Sequence, residues 1–191
     1  LIDATDPFGN GHLLPRGPLR ESAGQLARAD ASILTRFSTN GSGDRILGFL
    51  KEEFPGIPVF CADHLPDSIV FPHSDEVRKP ALLKGRRVAA FAGIARPEAF
   101  RNTLIRLGAD IVSFRGFKDH YQFRQDDIRE LIQMKERSGA QYLLTTEKDW
   151  IRMASLSPVC PDLAYLCVKF AILPGQKEDF FRIIKACIGQ G

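Results

Sequence analysis

The second half of the chain alternates apolar runs with amphipathic stretches, in the order expected for the strands and helices of a parallel sheet. Residues 86–94 (RRVAAFAGI) form a nearly continuous apolar run, which is typical of a strand buried on both faces. Pro97 suits the first turn of the helix that follows, and Gly108 suits its end. Three further strands are predicted at residues 110–114, 141–146 and 162–172.

Helix ends in this half are marked by polar residues. Asp126 and Asp127 lie in the first turn of a predicted helix, where carboxylates interact favourably with the helix dipole. Thr146 is predicted to cap a short helix that starts at Glu147, with Asp149 at the third position. The last helix is predicted to bury Phe180, Phe181, Ile184 and Ile188. The alternation predicts an α/β fold, a parallel-sheet three-layer α/β/α lobe.

The first part of the chain is less regular. Residues 20–29 predict a helix, and residues 31–35 and 57–62 predict strands, with a helix between the two strands that Pro55 ends. Residues 63–84 contain three prolines and little periodicity, so they predict a connector or a pair of edge strands between two lobes. Leu1 stands in place of a methionine at what resembles the end of a buried strand. We therefore expect the sequence to be excised from a longer protein.

Composition narrows the possible functions. The chain has 191 residues, 44% of them hydrophobic, and no apolar run of about 18 residues that would predict a membrane span.

The net charge of +3 does not by itself indicate a nucleic-acid partner. Basic residues are concentrated at Arg78, Lys79, Lys84, Arg86, Arg87, Arg96 and Arg101. This cluster fits either a solvated rim or a surface for phosphate or an anionic membrane. Nearby aromatic residues fit core positions better than base stacking, so no nucleic acid is expected.

The cysteines show no C-x-x-C pair and lie in apolar surroundings, so they predict buried free thiols of a reducing compartment, not a zinc site. They are Cys61, Cys160, Cys167 and Cys187.

Polar side chains follow three of the predicted strands, at the edge where parallel sheets bind ligands. FKDHYQF (residues 117–123) contains Asp119 and His120, whose side chains point apart in an extended loop and need a turn to pair. His120 can act as a general base, support a carboxylate from another segment, or cap the next helix. TTEKDW offers Glu147 and Lys148 to a phosphate, or forms a capping motif.

Two other turns carry candidate residues. AGIARP (residues 92–97) contains Gly93, which permits close backbone approach, and Arg96, which can hold an anion; a tight turn is the alternative. GPLRE places Arg20 and Glu21 at a predicted helix start, where they could contact a phosphate and a metal or base, or form a charged first turn. Neither G-x-x-x-x-G-K-[ST] nor G-x-G-x-x-G occurs, so no segment offers the usual cradle for ATP phosphates, and no cofactor-binding residue is predicted.

Five stretches, taken in order, resemble the tetraacyldisaccharide 4'-kinases of lipid A biosynthesis: FGNGHLLPRGPLRE, RADASILTR, FAGIARPEAF, FKDHYQF and LLTTEKDWIRM. The resemblance covers nearly the whole chain and implies the C-terminal portion of a P-loop-kinase-like protein. The missing N-terminal lobe would carry a membrane-associated helix, the P-loop and the acidic residues that serve Mg²⁺. The resemblance further implies three regions in this chain. Residues 1–69 would be the remainder of the N-terminal lobe and the interlobe region, residues 70–84 a small β linker, and residues 85–191 the C-terminal α/β lobe.

The resemblance also implies an activity, the transfer of the γ-phosphoryl group of ATP to the 4'-hydroxyl of tetraacyldisaccharide 1-phosphate. ATP and Mg²⁺ would be held mainly by the missing lobe of a monomer on the cytoplasmic face of the Gram-negative inner membrane. Asp119 and His120 match the family's loop Asp-His pair, whose histidine assists an aspartate base from the other lobe. Arg20 and Glu21 match a segment near the site.

The sequence departs from the family pattern at two positions. Lys118 stands where the family often has proline, and Trp150 stands where it often has a small residue.

We expect this chain alone to be inactive as a kinase. The alternatives are a stand-alone, non-catalytic α/β module that binds a phosphorylated ligand and a separate small enzyme with His120 as its base.

Overall fold

A computed structural model describes residues 1–38, 41–156 and 160–188, and the chain divides into two units. Unit 1 consists of Leu1–Leu65 and Phe170–Gly191, and unit 2 consists of Pro66–Lys169. The domain boundaries at residues 69, 70, 84 and 85, which the family resemblance implies, stay a prediction.

Unit 1 is built on parallel strands with helices packed against them. Strands β1 (Ile2–Asp3), β2 (Ser32–Thr35) and the first part of β3 (Val59–Phe71) pair side by side. The helices are a 3-10 helix (Ala23–Arg28), α1 (Gly43–Glu53) and α5 (Lys177–Ile188). The core of the unit forms where Ile46 and Leu50 of α1 pack with Leu34 of β2.

Unit 2 holds a mostly parallel sheet in which β8, β7, β5 and β6 lie side by side, while β4 pairs antiparallel with β3. Its strands are β4 (Glu76–Arg78), β5 (Arg87–Ala92), β6 (Asp110–Gly116), β7 (Tyr142–Thr146) and β8 (Leu163–Ile172), the last of which ends in unit 1. Its helices are α2 (Pro97–Arg106), α3 (Gln125–Ser138), α4 (Glu147–Met153) and short 3-10 helices at Pro80–Leu83 and Ala154–Leu156.

Strand β5 explains why residues 86–94 are apolar almost throughout. Val88 and Ala90 pack with Leu104 of α2 on one face of the sheet. Phe91 packs with Leu131 of α3 on the other face. Since successive side chains of a strand alternate between faces, a strand covered on both faces needs apolar residues at nearly every position. The predicted α/β fold, with helices on both faces of a parallel sheet, is confirmed in unit 2.

Three expectations from the sequence need correction. The helix predicted at residues 20–29 is a 3-10 helix confined to Ala23–Arg28. The strand predicted at residues 57–62 continues through Pro66 as the long β3, and its later part forms the predicted edge-strand pair with β4. Cys61 and Cys160 are buried free thiols, whereas Cys167 is half-buried and Cys187 is exposed.

The last helix was predicted to bury four apolar side chains, and this is wrong for three of them. Phe181, Ile184 and Ile188 are 47%, 39% and 74% exposed. Phe180 is half-buried, with its ring centroid 5.3 Å from that of Phe60. Helical spacing identifies an apolar face, but burial also requires a neighbouring element to cover it. No helix among the described residues is both long and apolar enough to cross a membrane.

Candidate functional site

The turns that follow β5, β6 and β7 meet at one edge of the sheet in unit 2. These strands are parallel, with Ala92 paired to Gly116 and Ala90 paired to Leu144, so their carboxyl ends lie together. The N–H of Phe117 donates to the carbonyl oxygen of Ala92 at 2.8 Å and ties the start of the loop after β6 to the end of β5. The sequence prediction that these turns share an edge is therefore confirmed.

Asp149 is the buried centre of this edge. Its carboxylate accepts hydrogen bonds from the backbone N–H of Gly93 at 3.0 Å and from the hydroxyl of Thr146 at 2.7 Å. The oxygen of Thr146 in turn accepts a bond from the backbone N–H of Asp149 at 3.1 Å, as the predicted N-cap requires. Asp149 therefore joins the start of α4 to the turn after β5.

Gly93 allows the turn after β5 to come this close. A Cβ atom at this position would lie 3.1 Å from Oδ1 of Asp149 and 3.3 Å from Cβ of Tyr121. Both contacts are tighter than ordinary van der Waals separation, so a side chain would push these turns apart. The close backbone approach predicted at Gly93 is thus made to a carboxylate of the chain itself.

Arg152 extends the network from the buried carboxylate towards the surface. Its Nη1 donates to the carbonyl oxygen of Gly93 at 2.8 Å and to Oδ1 of Asp149 at 3.1 Å. Its side chain is 19% exposed, against 0% for that of Asp149. Nη2 lies 3.3 Å from Nδ1 of His120, so one guanidinium contacts the ends of all three turns.

His120 and Asp119 occupy a turn, which is what their pairing required. His120 has a φ of 56°, in the left-handed region that is uncommon for a residue with a side chain. Its N–H donates to Oδ1 of Asp119 at 3.0 Å, and its Nε2 lies 3.8 Å from Oδ2 of the same carboxylate. The side chains are 80% and 45% exposed, respectively, so both can reach a bound molecule.

Aromatic packing holds the loop that carries this turn. The ring of Phe117 lies 4.7 Å from that of Tyr121 and 5.2 Å from that of Phe123, which in turn contacts Phe91 of β5 at 5.7 Å. The Tyr121 hydroxyl donates to Asp127 at 3.1 Å. Burial of the phenol, together with this carboxylate, raises the pKa of Tyr121 above its ordinary value.

The other predicted site residues lie at exposed positions. Arg20 and Glu21 are exposed in a bend before the 3-10 helix of unit 1, not at a helix start, and Glu21 pairs with Arg28 at 2.7 Å. Glu147 and Lys148 are exposed at the start of α4, and Arg96 is exposed before α2.

The basic cluster is spread over several elements of unit 2. Lys84 and Arg86 precede strand β5, whereas Arg96 and Arg101 follow it, and Arg101 pairs with Glu98 at 3.7 Å. The described part of the chain contains no group of three or more His, Cys, Asp or Glu side chains that could hold a metal ion.

Comparisons with known proteins show the family to which the chain belongs. A sequence model of the family described as LpxK: Tetraacyldisaccharide-1-P 4'-kinase matches residues 1–188. The chain belongs to this family. A tetraacyldisaccharide 4'-kinase of Anaeromyxobacter sp. is 37% identical over 195 residues, which are 100% of this chain and 51% of the relative. Another, of Syntrophus aciditrophicus, is 34% identical over 187 residues, which are 94% of this chain and 50% of the relative.

A solved structure of this family shares the fold. The crystal structure of "apo" form LpxK from Aquifex aeolicus in complex with ATP matches with a TM-score of 0.61 and 27% identity, over 95% of this chain and 50% of that one. The family resemblance stated from the sequence is confirmed. The chain spans about half the length of the curated relatives it matches.

Arg152 was not among the site residues predicted from the sequence, and Asp149 was predicted only to cap a helix. Both residues stand in LLTTEKDWIRM, one of the stretches that carried the family resemblance. Their spacing of three places them on the same face of α4, which is a signal for an ion pair. Nothing in the local pattern indicates that this face meets Gly93 and His120.

Proposed function

We propose that the chain is the histidine-bearing part of a tetraacyldisaccharide 4'-kinase. The reaction transfers the γ-phosphoryl group of ATP to the 4'-hydroxyl of tetraacyldisaccharide 1-phosphate. A bond forms between the hydroxyl oxygen and the γ-phosphorus, the bond from that phosphorus to the β,γ-bridging oxygen breaks, and the hydroxyl proton passes to a base. The observation that carries the proposal is the Asp119–His120 turn, exposed at the carboxyl edge of the sheet while Arg152 holds the imidazole.

Phosphoryl transfer depends on alignment and charge stabilisation more than on covalent chemistry by the enzyme. What a loop histidine can add is help in removing the hydroxyl proton, either directly or by supporting a carboxylate base. His120 is 80% exposed and lies on an ordered turn, so a sugar hydroxyl or a carboxylate of another segment can reach its ring. Asp119 then orients the turn through the N–H of His120.

The described residues do not by themselves fit ATP or Mg²⁺. They include no phosphate-cradling motif and no metal-binding cluster, so no step of the reaction is assigned to nucleotide or metal contacts of this chain. By family resemblance, those contacts belong to the N-terminal lobe of the kinase. Arg20 and Glu21 match a family segment near the site, and we propose them only for the vicinity of the substrate phosphate or the metal.

The same resemblance suggests where the enzyme works. We place it as a monomer on the cytoplasmic face of the Gram-negative inner membrane, where its lipid substrate lies. Exposed basic residues such as Lys84 and Arg86 would favour an anionic lipid surface.

The experiment is a kinetic comparison of His120→Ala with the unsubstituted enzyme in its natural full length. If His120 takes part in proton transfer, kcat falls by roughly 10²-fold or more. His73→Ala is the matched control, because His73 is also an exposed loop histidine of unit 2 but lies in the turn between β3 and β4. Unchanged turnover of the His120 variant would contradict the proposed role. The 191-residue chain alone is expected to show no ATP-dependent kinase activity with Mg²⁺.

A further inference from the structure

The contact between Arg152 and His120 fixes more than the position of the imidazole. Nη2 of Arg152 lies 3.3 Å from Nδ1 of His120. A guanidinium can only donate hydrogen bonds, so Nδ1 must be the acceptor in this contact. The neutral imidazole then carries its single proton on Nε2, because one ring nitrogen donates when the other accepts.

We propose that Arg152 is a positioning residue that sets the orientation and the tautomer of His120, with Asp149 as its buried anchor. This inference rests on the proposed function, because it assigns a role within the same site. It concerns Arg152, to which the sequence pattern assigned no role, and Asp149, to which it assigned only helix capping.

Hydrogen bonds hold the side chains of both Arg152 and Asp149 in place. Arg152 is held at Nη1 by two acceptors, the carbonyl oxygen of Gly93 and Oδ1 of Asp149. Asp149 is itself fixed by the N–H of Gly93 and by Thr146, and it is fully buried. The long arginine side chain therefore has little rotamer freedom left to lose when Nη2 meets the imidazole, and a charge-assisted bond in such a place is directional.

The tautomer decides which of two chemical roles His120 can take. With its proton on Nε2 and Nδ1 engaged by Arg152, the neutral ring has no free acceptor nitrogen for a substrate hydroxyl. Nε2 lies 3.8 Å from Oδ2 of Asp119, on a side chain that is 80% exposed. This arrangement agrees with the role that the family resemblance implies for this histidine, which is to assist a carboxylate base and not to remove the proton itself.

The test measures the tautomer directly, by ¹⁵N NMR of histidine-labelled protein in its natural full length. His120→Ala identifies the signals of His120 by their loss. In the unsubstituted protein we expect a pyridine-type shift for Nδ1 and a pyrrole-type shift for Nε2. Arg152→Met, which keeps bulk but has no donor, should move both shifts towards an exchanging mixture of tautomers. Arg152→Lys, which retains a donor-only cation, should move them less.

Arg129→Met is the matched control, since Arg129 also pairs with an aspartate three residues before it on a helix, at 2.6 Å from Asp126, but on an exposed surface. It should leave the His120 shifts unchanged. A proton on Nδ1 in the unsubstituted protein would overturn the proposal. So would His120 shifts that stay the same in a folded Arg152→Met variant.

Kinetics separate this inference from the proposed function. Arg152→Met should lower kcat by roughly 10-fold to 100-fold through misplacement of the imidazole, with the KM for ATP little changed, and Arg152→Lys should recover part of the loss. If Arg152→Met changes the tautomer while His120→Ala leaves kcat intact, the positioning role stands and the catalytic role of His120 fails. If His120→Ala lowers kcat but Arg152→Met changes neither tautomer nor kcat, the positioning role fails alone.

Discussion

Replacing Asp149 by alanine removes the carboxylate on which the site is anchored and should destabilise unit 2 strongly. Three donors lose a bond to this carboxylate at once: the N–H of Gly93, the hydroxyl of Thr146 and Nη1 of Arg152, which keeps only its bond to the carbonyl oxygen of Gly93. The hydroxyl can rotate towards another partner, but the backbone N–H cannot. The guanidinium, with only 19% of its side chain exposed, keeps its charge in a mostly dry position.

The size of the effect follows from these losses. Removing one partner of a buried ion pair typically costs about 3 to 5 kcal/mol, because the remaining charge is left without compensation. A stranded buried N–H adds about 1 to 3 kcal/mol, part of which is already included in that range. We therefore expect Asp149→Ala to lower the free energy of unfolding by about 3 to 5 kcal/mol. Asp149→Asn should lower it less, because its amide oxygen can still accept from Gly93.

Urea unfolding followed by tryptophan fluorescence measures this loss. The chain has a single tryptophan, Trp150, which stacks on Tyr165 within unit 2 and so reports on the unit that contains the substitution. Asp126→Ala is the control, since it breaks an exposed pair with Arg129, and such pairs are worth little. A loss of less than about 1 kcal/mol in the Asp149→Ala variant, equal to that of the control, would refute the reasoning.

Three further outcomes are expected. Gly93→Ala should lower the free energy of unfolding by about 1 to 3 kcal/mol in the same assay, because its Cβ would meet Oδ1 of Asp149 at 3.1 Å; an unchanged midpoint would contradict this close approach. In native protein Cys187, which is exposed, should react with a thiol reagent well before Cys160. Burial also raises the pKa of the Cys160 thiol, so labelling of Cys160 should stay slow even as the pH approaches the ordinary pKa of a thiol. Equal labelling rates for Cys160 and Cys187 would contradict the fold around Cys160. Arg20→Ala in the full-length enzyme should lower kcat/KM while leaving the melting temperature unchanged, since its side chain is exposed; a kcat/KM equal to that of the unsubstituted enzyme would remove Arg20 from the site.

Local features of the fold were predictable because their causes are local. The apolar run at residues 86–94 predicts a strand covered on both faces, and β5 is one. Gly139 takes a φ of 63° at the end of α3, a conformation that glycine adopts without steric cost. Thr146 caps α4 because its hydroxyl reaches an N–H three residues along the chain. In each case the information lies within a few residues.

The centre of the site was not predictable because its contacts join distant parts of the chain. Gly93 and Asp149 are 56 residues apart, and the bond from Arg152 to Gly93 spans 59 residues. The strand order brings them together, and no short pattern encodes it. The positive φ of His120 was likewise not predicted, since that conformation is uncommon for any residue other than glycine and no local pattern marks it here.

The buried pair of Asp149 and Arg152 is better explained by geometry than by stability. Buried ion pairs often add little net stability, since well-packed apolar residues of similar volume can replace them at no cost. An apolar pair here would still leave the N–H of Gly93 without an acceptor and Nδ1 of His120 without a donor. The pair thus supplies something that packing cannot, which is a directional link from a buried carboxylate to an exposed imidazole. Because an exposed loop side chain otherwise samples several rotamers, such a link is what allows a surface histidine to meet a reacting group in one orientation.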